Sequence, residues 1–301
     1  MKIFVFIVLL CIASVVTVHA KIKVVTSLAD LADFTKVIGG DKVEVDYIVR
    51  GNQNPHFIEV KPSYMLKLKS ADIFVIIGLQ LEIWYQQVVD GSRNSKLLIV
   101  DCSKNIEKLE VPTYKVDASY GDVHPYGNPH YWLDPLNVKI ILQEILDGLT
   151  AISPNDIDYF KTNMDAYLKK LDEKIAEWEK IAAPVKGAQF ISYHTSFSYF
   201  AKRFGFVIAG YVEPKPGIPP TPSHTAELIK LMREGNIKVI GLEPFYEDNT
   251  PNKLAQSTGA KVVRLSTSIG GAPGTDDYIS LIDYNVKTLV NAFTTADKKI
   301  N

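Results

Sequence analysis

The stretch Ser153-Pro154-Asn155-Asp156-Ile157-Asp158-Tyr159-Phe160, running on without a second proline to Ile181-Ala182-Ala183-Pro184, decides the fold. Ser153 and Pro154 make a helix start, and Pro184 makes a stop. Between them Ile157, Phe160, Met164, Tyr167, Leu168, Leu171, Ile175, Trp178 and Ile181 recur in steps of three and four, which draws one continuous apolar stripe. A helix of about 30 residues spans roughly 45 Å at 1.5 Å per residue. That reach suits a helix lying along two lobes rather than inside one. A coiled-coil dimer would use a longer and more regular heptad seam without bulky aromatics, so the chain is expected to be a monomer.

On both sides of this helix the pattern alternates between strand and helix. Before it, strands are expected at Ile22–Thr26, Val43–Val49, Ile73–Ile77 and Leu97–Val100, and helices at Leu28–Ile38, from Pro62, and from Pro135 to Leu149. After it, strands are expected at Phe190–Tyr193, Val207–Tyr211, Ile237–Leu242 and Lys261–Leu265. Helices are expected at Phe197–Phe204, Ala226–Arg233, Pro251–Thr258 and Asp277–Phe293. Repeated alternation implies an α/β protein of two lobes with mainly parallel sheets. The expected division is residues 21–150, a linking backbone helix over 151–184, and a second lobe over 185–301. Ligands of open α/β sheets sit beyond the carboxyl ends of the strands, which places the site between the lobes.

Residues 1–20 read as an export signal: Met1-Lys2, an apolar run from Ile3 to Val18, and the small-residue site Val18-His19-Ala20. The expected location is the periplasm, with cleavage after Ala20. Leu10 before Cys11 is too large for a good lipid-attachment signal, which argues against an anchor. Cys102 is then the lone cysteine, so neither a disulfide nor a cysteine-rich zinc knuckle is available. Net charge is −1, from 33 basic and 34 acidic residues, which removes any bulk electrostatic case for nucleic acid or anionic membrane. With 47% hydrophobic residues the core alone must stabilise the fold.

Two of the six histidines stand in identical tripeptides, Asn54-Pro55-His56 and Asn128-Pro129-His130. Proline stiffens each turn and presents the imidazole at a defined place. On their own the tripeptides fit two surface turns as well as two halves of a metal site. His194 follows a strand at its carboxyl end, and so does Glu243. Three imidazoles and one carboxylate converging at an inter-lobe rim would suit a divalent transition metal, tetrahedral zinc among them. His194 and Glu243 could equally cap strand ends. His124 reads as a solvated loop residue and His224 as part of the first turn of a helix, neither one a ligand.

Asn54-Pro55-His56 with Glu59 and Lys61-Pro62-Ser63, Asn128-Pro129-His130-Tyr131-Trp132-Leu133-Asp134-Pro135, and His194 within Ser192 to Phe200 resemble the ligand segments of the zinc- and manganese-binding solute-binding proteins of bacterial ABC importers. Leu81-Glu82-Ile83-Trp84 and Tyr278 to Val286 add to the resemblance, which spans nearly all of the chain after the signal. It implies two α/β lobes clasping one metal ion and a permease partner in the inner membrane. It implies His56, His130 and His194 as ligands. The family's fourth ligand is usually an aspartate after the strand at Lys261–Leu265, yet this chain has Ser266-Thr267-Ser268-Ile269-Gly270-Gly271 there, and Asp276 and Asp277 lie further on. Glu243 is the expected replacement, with water or an aspartate near Asp277 as the alternatives. The long His-rich loop of many zinc-selective members is absent, since the stretch from Asp117 to Gly127 is short and holds only His124.

Three imidazoles favour Zn2+ over Mn2+. A zinc ion with a water in its fourth place would also fit an exported zinc-dependent hydrolase. That rival needs a general base and a substrate pocket; no His-Glu-x-x-His segment occurs and no nucleophile–base pair stands out, so Glu243 would have to serve as the base. An adhesin or structural protein without metal would leave the paired tripeptides unexplained.

Overall fold

The structure is a computed structural model that describes residues 20–116, 121 and 123–297. The signal segment therefore lies outside the described residues, apart from Ala20. The first sheet contains β1 (Ile22–Leu28), β2 (Val43–Val49), β3 (Ile73–Ile76) and β4 (Leu98–Asp101) in the order β2-β1-β3-β4, all parallel. The second contains β5 (Gln189–Ser192), β6 (Val207–Tyr211), β7 (Val239–Leu242) and β8 (Lys261–Arg264) in the order β6-β5-β7-β8, again all parallel. Each lobe thus repeats one wiring, and each reverses direction beside its first strand. β3 and β7 are buried along their whole length, as expected of strands covered on both faces.

Helices α1 (Ala29–Gly39), α2 (Pro62–Lys69), α3 (Tyr85–Ser92) and α4 (Pro135–Ile152) belong to the first half. The sequence pattern did not reveal α3, whose mixed face buries only Val88 and Ser92. Asp134 caps α4 by accepting the Leu136 N–H at 2.9 Å, and Pro135 fills the first turn where no N–H is needed. The long middle helix was expected as one piece. It is α5 (Ile157–Ala182), flanked by single 3-10 turns at Pro154–Asp156 and Ala183–Val185, each containing the proline that read as a start or stop. Helices α6 (Ser198–Phe204), α7 (Pro222–Glu234), α8 (Asn249–Thr258) and α9 (Tyr278–Asp297) complete the chain. Helix α7 begins four residues earlier than its apolar pattern, because Thr221 caps it through the His224 N–H.

Helix α5 packs on α1 and α4 of the first half and on α9 of the second. Phe160, Met164, Leu171, Ile175, Trp178 and Ala182 are its buried face. They join a single apolar core that contains β1 and β3 side chains at one end and Phe190, Phe206, Leu289 and Phe293 at the other. A smaller cluster of Ile191, Val212, Leu228, Met232, Ile240 and Leu254 fills the remaining side of the second sheet. The stripe seen in sequence is therefore the seam that joins the lobes. Trp178 is fully buried in it, and its indole N–H donates to Asp283 of α9 at 3.3 Å. Trp178→Ala is expected to lower stability by about 3–5 kcal/mol, the usual cost of emptying so large a buried volume. Urea unfolding of the metal-free protein measures it, and a loss under about 1 kcal/mol would contradict this role for the seam.

Candidate metal centre

Every residue of the two histidine tripeptides is held by its neighbours. Asn54 Oδ1 accepts the His56 N–H at 3.0 Å, and Asn128 Oδ1 accepts the His130 N–H at 2.9 Å, so both asparagines close the same side-chain turn over the proline. Trp84 donates its indole N–H to the Pro55 carbonyl at 2.9 Å and pins the first turn. The second is pinned three times. Tyr131 OH donates to Ile77 O at 2.6 Å, Trp132 Nε1 donates to Thr267 O at 2.8 Å, and Tyr199 OH donates to Asn128 O at 3.0 Å. Two of these bonds cross between the lobes. Asp134 adds a third crossing, since Arg203 of α6 grips its carboxylate from two nitrogens at 2.7 and 3.0 Å. The run Tyr-Trp-Leu-Asp-Pro after His130 is thus the frame around the imidazole.

The lobes also meet where β2 ends. A Cβ added to Gly51 would stand 2.0 Å from the Ile269 carbonyl oxygen, so only glycine allows the chain to pass this close on its way to His56. The facing segment is tightly held. Asn285 accepts the Ser266 N–H and donates to its carbonyl, and Asp30 of α1 accepts from Ser268 Oγ and the Ile269 N–H.

His56, His130 and His194 are each 2% exposed. One ligating nitrogen from each falls within 4.8 Å of the others, the one such group of three among the described residues. His56 Nε2 and His130 Nε2 are 3.0 Å apart. Two aromatic lone pairs at that separation repel unless a proton or a cation lies between them. Tetrahedral zinc with bonds of about 2.0–2.1 Å would set its ligand nitrogens roughly 3.3 Å apart, close to what is seen. The outer nitrogens of His130 and His194 are occupied. Asn128 Oδ1 meets His130 Nδ1 at 2.9 Å, and Glu213 Oε2 meets His194 Nδ1 at 2.7 Å. An acceptor on Nδ1 fixes the proton there and leaves Nε2 to face the centre. Burial first, and then the neighbouring His56, His194 and His124, push the pKa of His130 well below the ordinary histidine range, which keeps this ring neutral and ready to donate.

Glu243 ends β7 as expected but is not one of the converging donors. Its carboxylate is fully buried beside His194 and Ser196. Burial lifts its pKa to about 7, against the opposing pull of His194 and the nearby Ser196. His224 lies in the first turn of α7 and bonds the Tyr211 carbonyl at 2.9 Å, away from the centre, as the sequence indicated. His124 departs from its expected solvated state. It is 8% exposed, and its ring centroid lies 5.0 Å from that of His56. Sequence reasoning also missed Glu213, which follows β6 at a carboxyl strand end as Glu243 follows β7. That placement was the signal available for finding it.

The fold and the enclosed imidazole cluster define a two-lobed receptor with a metal-compatible cleft. The sequence model of the family described as the periplasmic component A of the zinc-uptake complex matches residues 24–292, and the chain belongs to that family. It is 26% identical over 276 residues to the high-affinity zinc uptake system protein ZnuA of Bacillus subtilis, covering 89% of this chain and 86% of that protein. It is also 26% identical over 279 residues to the manganese-binding lipoprotein MntA of Halalkalibacterium halodurans, covering 91% and 89%. A crystal structure of ZnuA superimposes with a TM-score of 0.79 at 26% identity, covering 91% of this chain and 99% of that one.

Asp30, Glu82 and Glu243 share one electrostatic property: burial raises each pKa to about 7. A folded-state pKa above the unfolded value means that the folded chain holds the proton more tightly. The associated stability is complete below about pH 4 and is lost as pH rises through about 7. The metal-free protein is therefore expected to melt at progressively lower temperature between pH 5 and pH 8. Glu243→Gln should reduce that fall, and a flat or rising melting temperature across the range would refute the assignment. Differential scanning calorimetry of both proteins gives the comparison.

Proposed function

We propose that this protein captures a divalent transition metal, zinc in the first place, between its lobes and delivers it to an ABC permease in the inner membrane. The observation that carries this reading is the buried convergence of His56, His130 and His194, with the outer nitrogens of His130 and His194 already engaged by protein oxygens. The three imidazoles are the proposed ligands, His56 and His130 coming from the first lobe and His194 from the second. Residues 21–150 and 185–301 are the proposed lobes, joined by residues 151–184. Glu243, buried beside His194 and lifted in pKa, is the carboxylate that a dication there would re-ionise. It would compensate the cargo's charge in a region where an isolated charge is costly to bury.

The family consists of extracytoplasmic metal receptors of uptake systems, and it gives the zinc-hydrolase reading no support. Among the relatives, one is named for zinc and one for manganese. Nitrogen donors favour zinc here, because manganese prefers carboxylate and other oxygen ligands. We further propose that the mature chain is a monomer, free in the periplasm after cleavage behind Ala20, without a lipid anchor.

His56→Ala, His130→Ala and His194→Ala are each expected to weaken zinc binding by more than the roughly 10–100-fold typical of losing an outer-shell partner. Titration calorimetry on chelator-stripped protein measures this, and unchanged affinity in all three variants would remove the site. Glu213→Gln should fall within that outer-shell range, because it leaves the ligand in place and loosens its orientation. Elemental analysis of the native protein, followed by competition between zinc and manganese, should return one zinc per chain. Manganese retained against equimolar zinc would reverse the choice of metal.

A further inference from the structure

We propose that His124 is a fourth imidazole donor to the bound ion. This rests on the three-histidine reading above and extends it to the position left open by the missing aspartate. The segment that should carry the acidic ligand, Ser266 to Ser268, contains no carboxylate. Its backbone and hydroxyls are taken up by Asn285, Trp132 and Asp30. Glu243 lies on the His194 side and is not part of the converging group.

His124 lies on the other side, against His56. Its ring centroid is 5.0 Å from that of His56, the same separation as His56 to His130 and slightly less than the 5.3 Å from either ring to His194. A histidine of a solvated loop does not sit 8% exposed at ligand spacing from a buried imidazole. The chain places it there by construction. His124-Pro125-Tyr126-Gly127 is a turn closed by the Gly127 N–H on the His124 carbonyl at 3.2 Å, with proline in its second place. Gly127, at φ +110°, turns the chain back, and the Asn128 N–H on the Leu109 carbonyl at 2.8 Å anchors the return. Two successive proline turns therefore present His124 and His130 from one short segment to His56.

The ring nitrogens of His124 lie outside the 4.8 Å group, so the imidazole must turn toward the ion on loading. His124 also lines a cavity of about 320 Å³ together with Glu110, Asn128, Thr195 and Pro216. Four nitrogen donors would make a closed tetrahedral zinc site and strengthen the preference for zinc over manganese.

The test is 15N-histidine NMR on chelator-stripped protein titrated with zinc ion alone, with assignments from single histidine variants. Coordinated ring nitrogens are expected to shift in four histidines, including His124, and His124→Ala should weaken zinc binding about 10–100-fold. Glu243→Gln should leave the His124 signal shifting as before. Shifts confined to His56, His130 and His194, with His124→Ala binding zinc within about twofold of the parent, would overturn the inference while leaving the three-histidine site intact. Absence of shifts in any histidine would bring down that site and the inference with it. Unchanged melting of metal-free His124→Ala separates a lost ligand from a lost fold, and His124→Gln serves as the second variant if the alanine chain melts early.

Discussion

One amide group, that of Asn128, fixes the centre on which the protein's chemistry depends. Its oxygen accepts from both the backbone and the ring of His130, while its nitrogen reaches across the cleft to the carbonyl of Thr195, the residue after His194. The same nitrogen also meets Glu110. Orientation of one imidazole and registry between the lobes are thus a single constraint. Moving the lobes apart at this point would release the tautomer of His130 along with its position. Metal affinity and lobe closure are coupled here through hydrogen bonds rather than through any bulk motion.

Around this amide the framing is aromatic and mostly buried. Trp84, Tyr131, Trp132, Tyr199 and Tyr278 each spend their polar atom on a loop carbonyl close to the site. Buried tyrosines and tryptophans need such partners, so the same residues that fill the core also brace the loops. The cost of leaving a buried carbonyl unpaired makes each of these contacts hard to break singly. The outcome is a cage of imidazole donors with two buried carboxylates at its edge, Glu213 on the His194 ring and Glu243 beside it. A dication supplies the charge that such a cage lacks.

The α/β architecture was legible because its strands are short apolar runs and α5 carries an uninterrupted stripe. Boundaries shifted where caps decide them, by four residues at Thr221. Helix α3 was hidden, since a helix with two buried side chains leaves almost no periodic trace. The three histidines could be found from repeated tripeptides and from strand ends. The burial of His124 could not, because it depends on which segments meet around His56, and Glu213 was missed although it stands at a strand end like Glu243. His124 was read by its neighbours in sequence, a polar loop, whereas its burial comes from His56 more than sixty residues earlier. Glu243 was legible as a strand-end residue, and its burial beside His194 was not.

The shared strand order of the two lobes has a consequence for the history of each molecule. Both sheets aim their carboxyl edges at the same gap, so the three imidazoles come from loops separated by 74 and 64 residues, as His56, His130 and His194. A nascent or unfolded chain therefore holds no preassembled nest for an ion. Affinity switches on only when the second sheet has docked against the first, and cargo is chosen by whatever compartment the protein folds in. A chain threaded through a membrane in extended form arrives empty, and its first encounter with metal samples the far side alone.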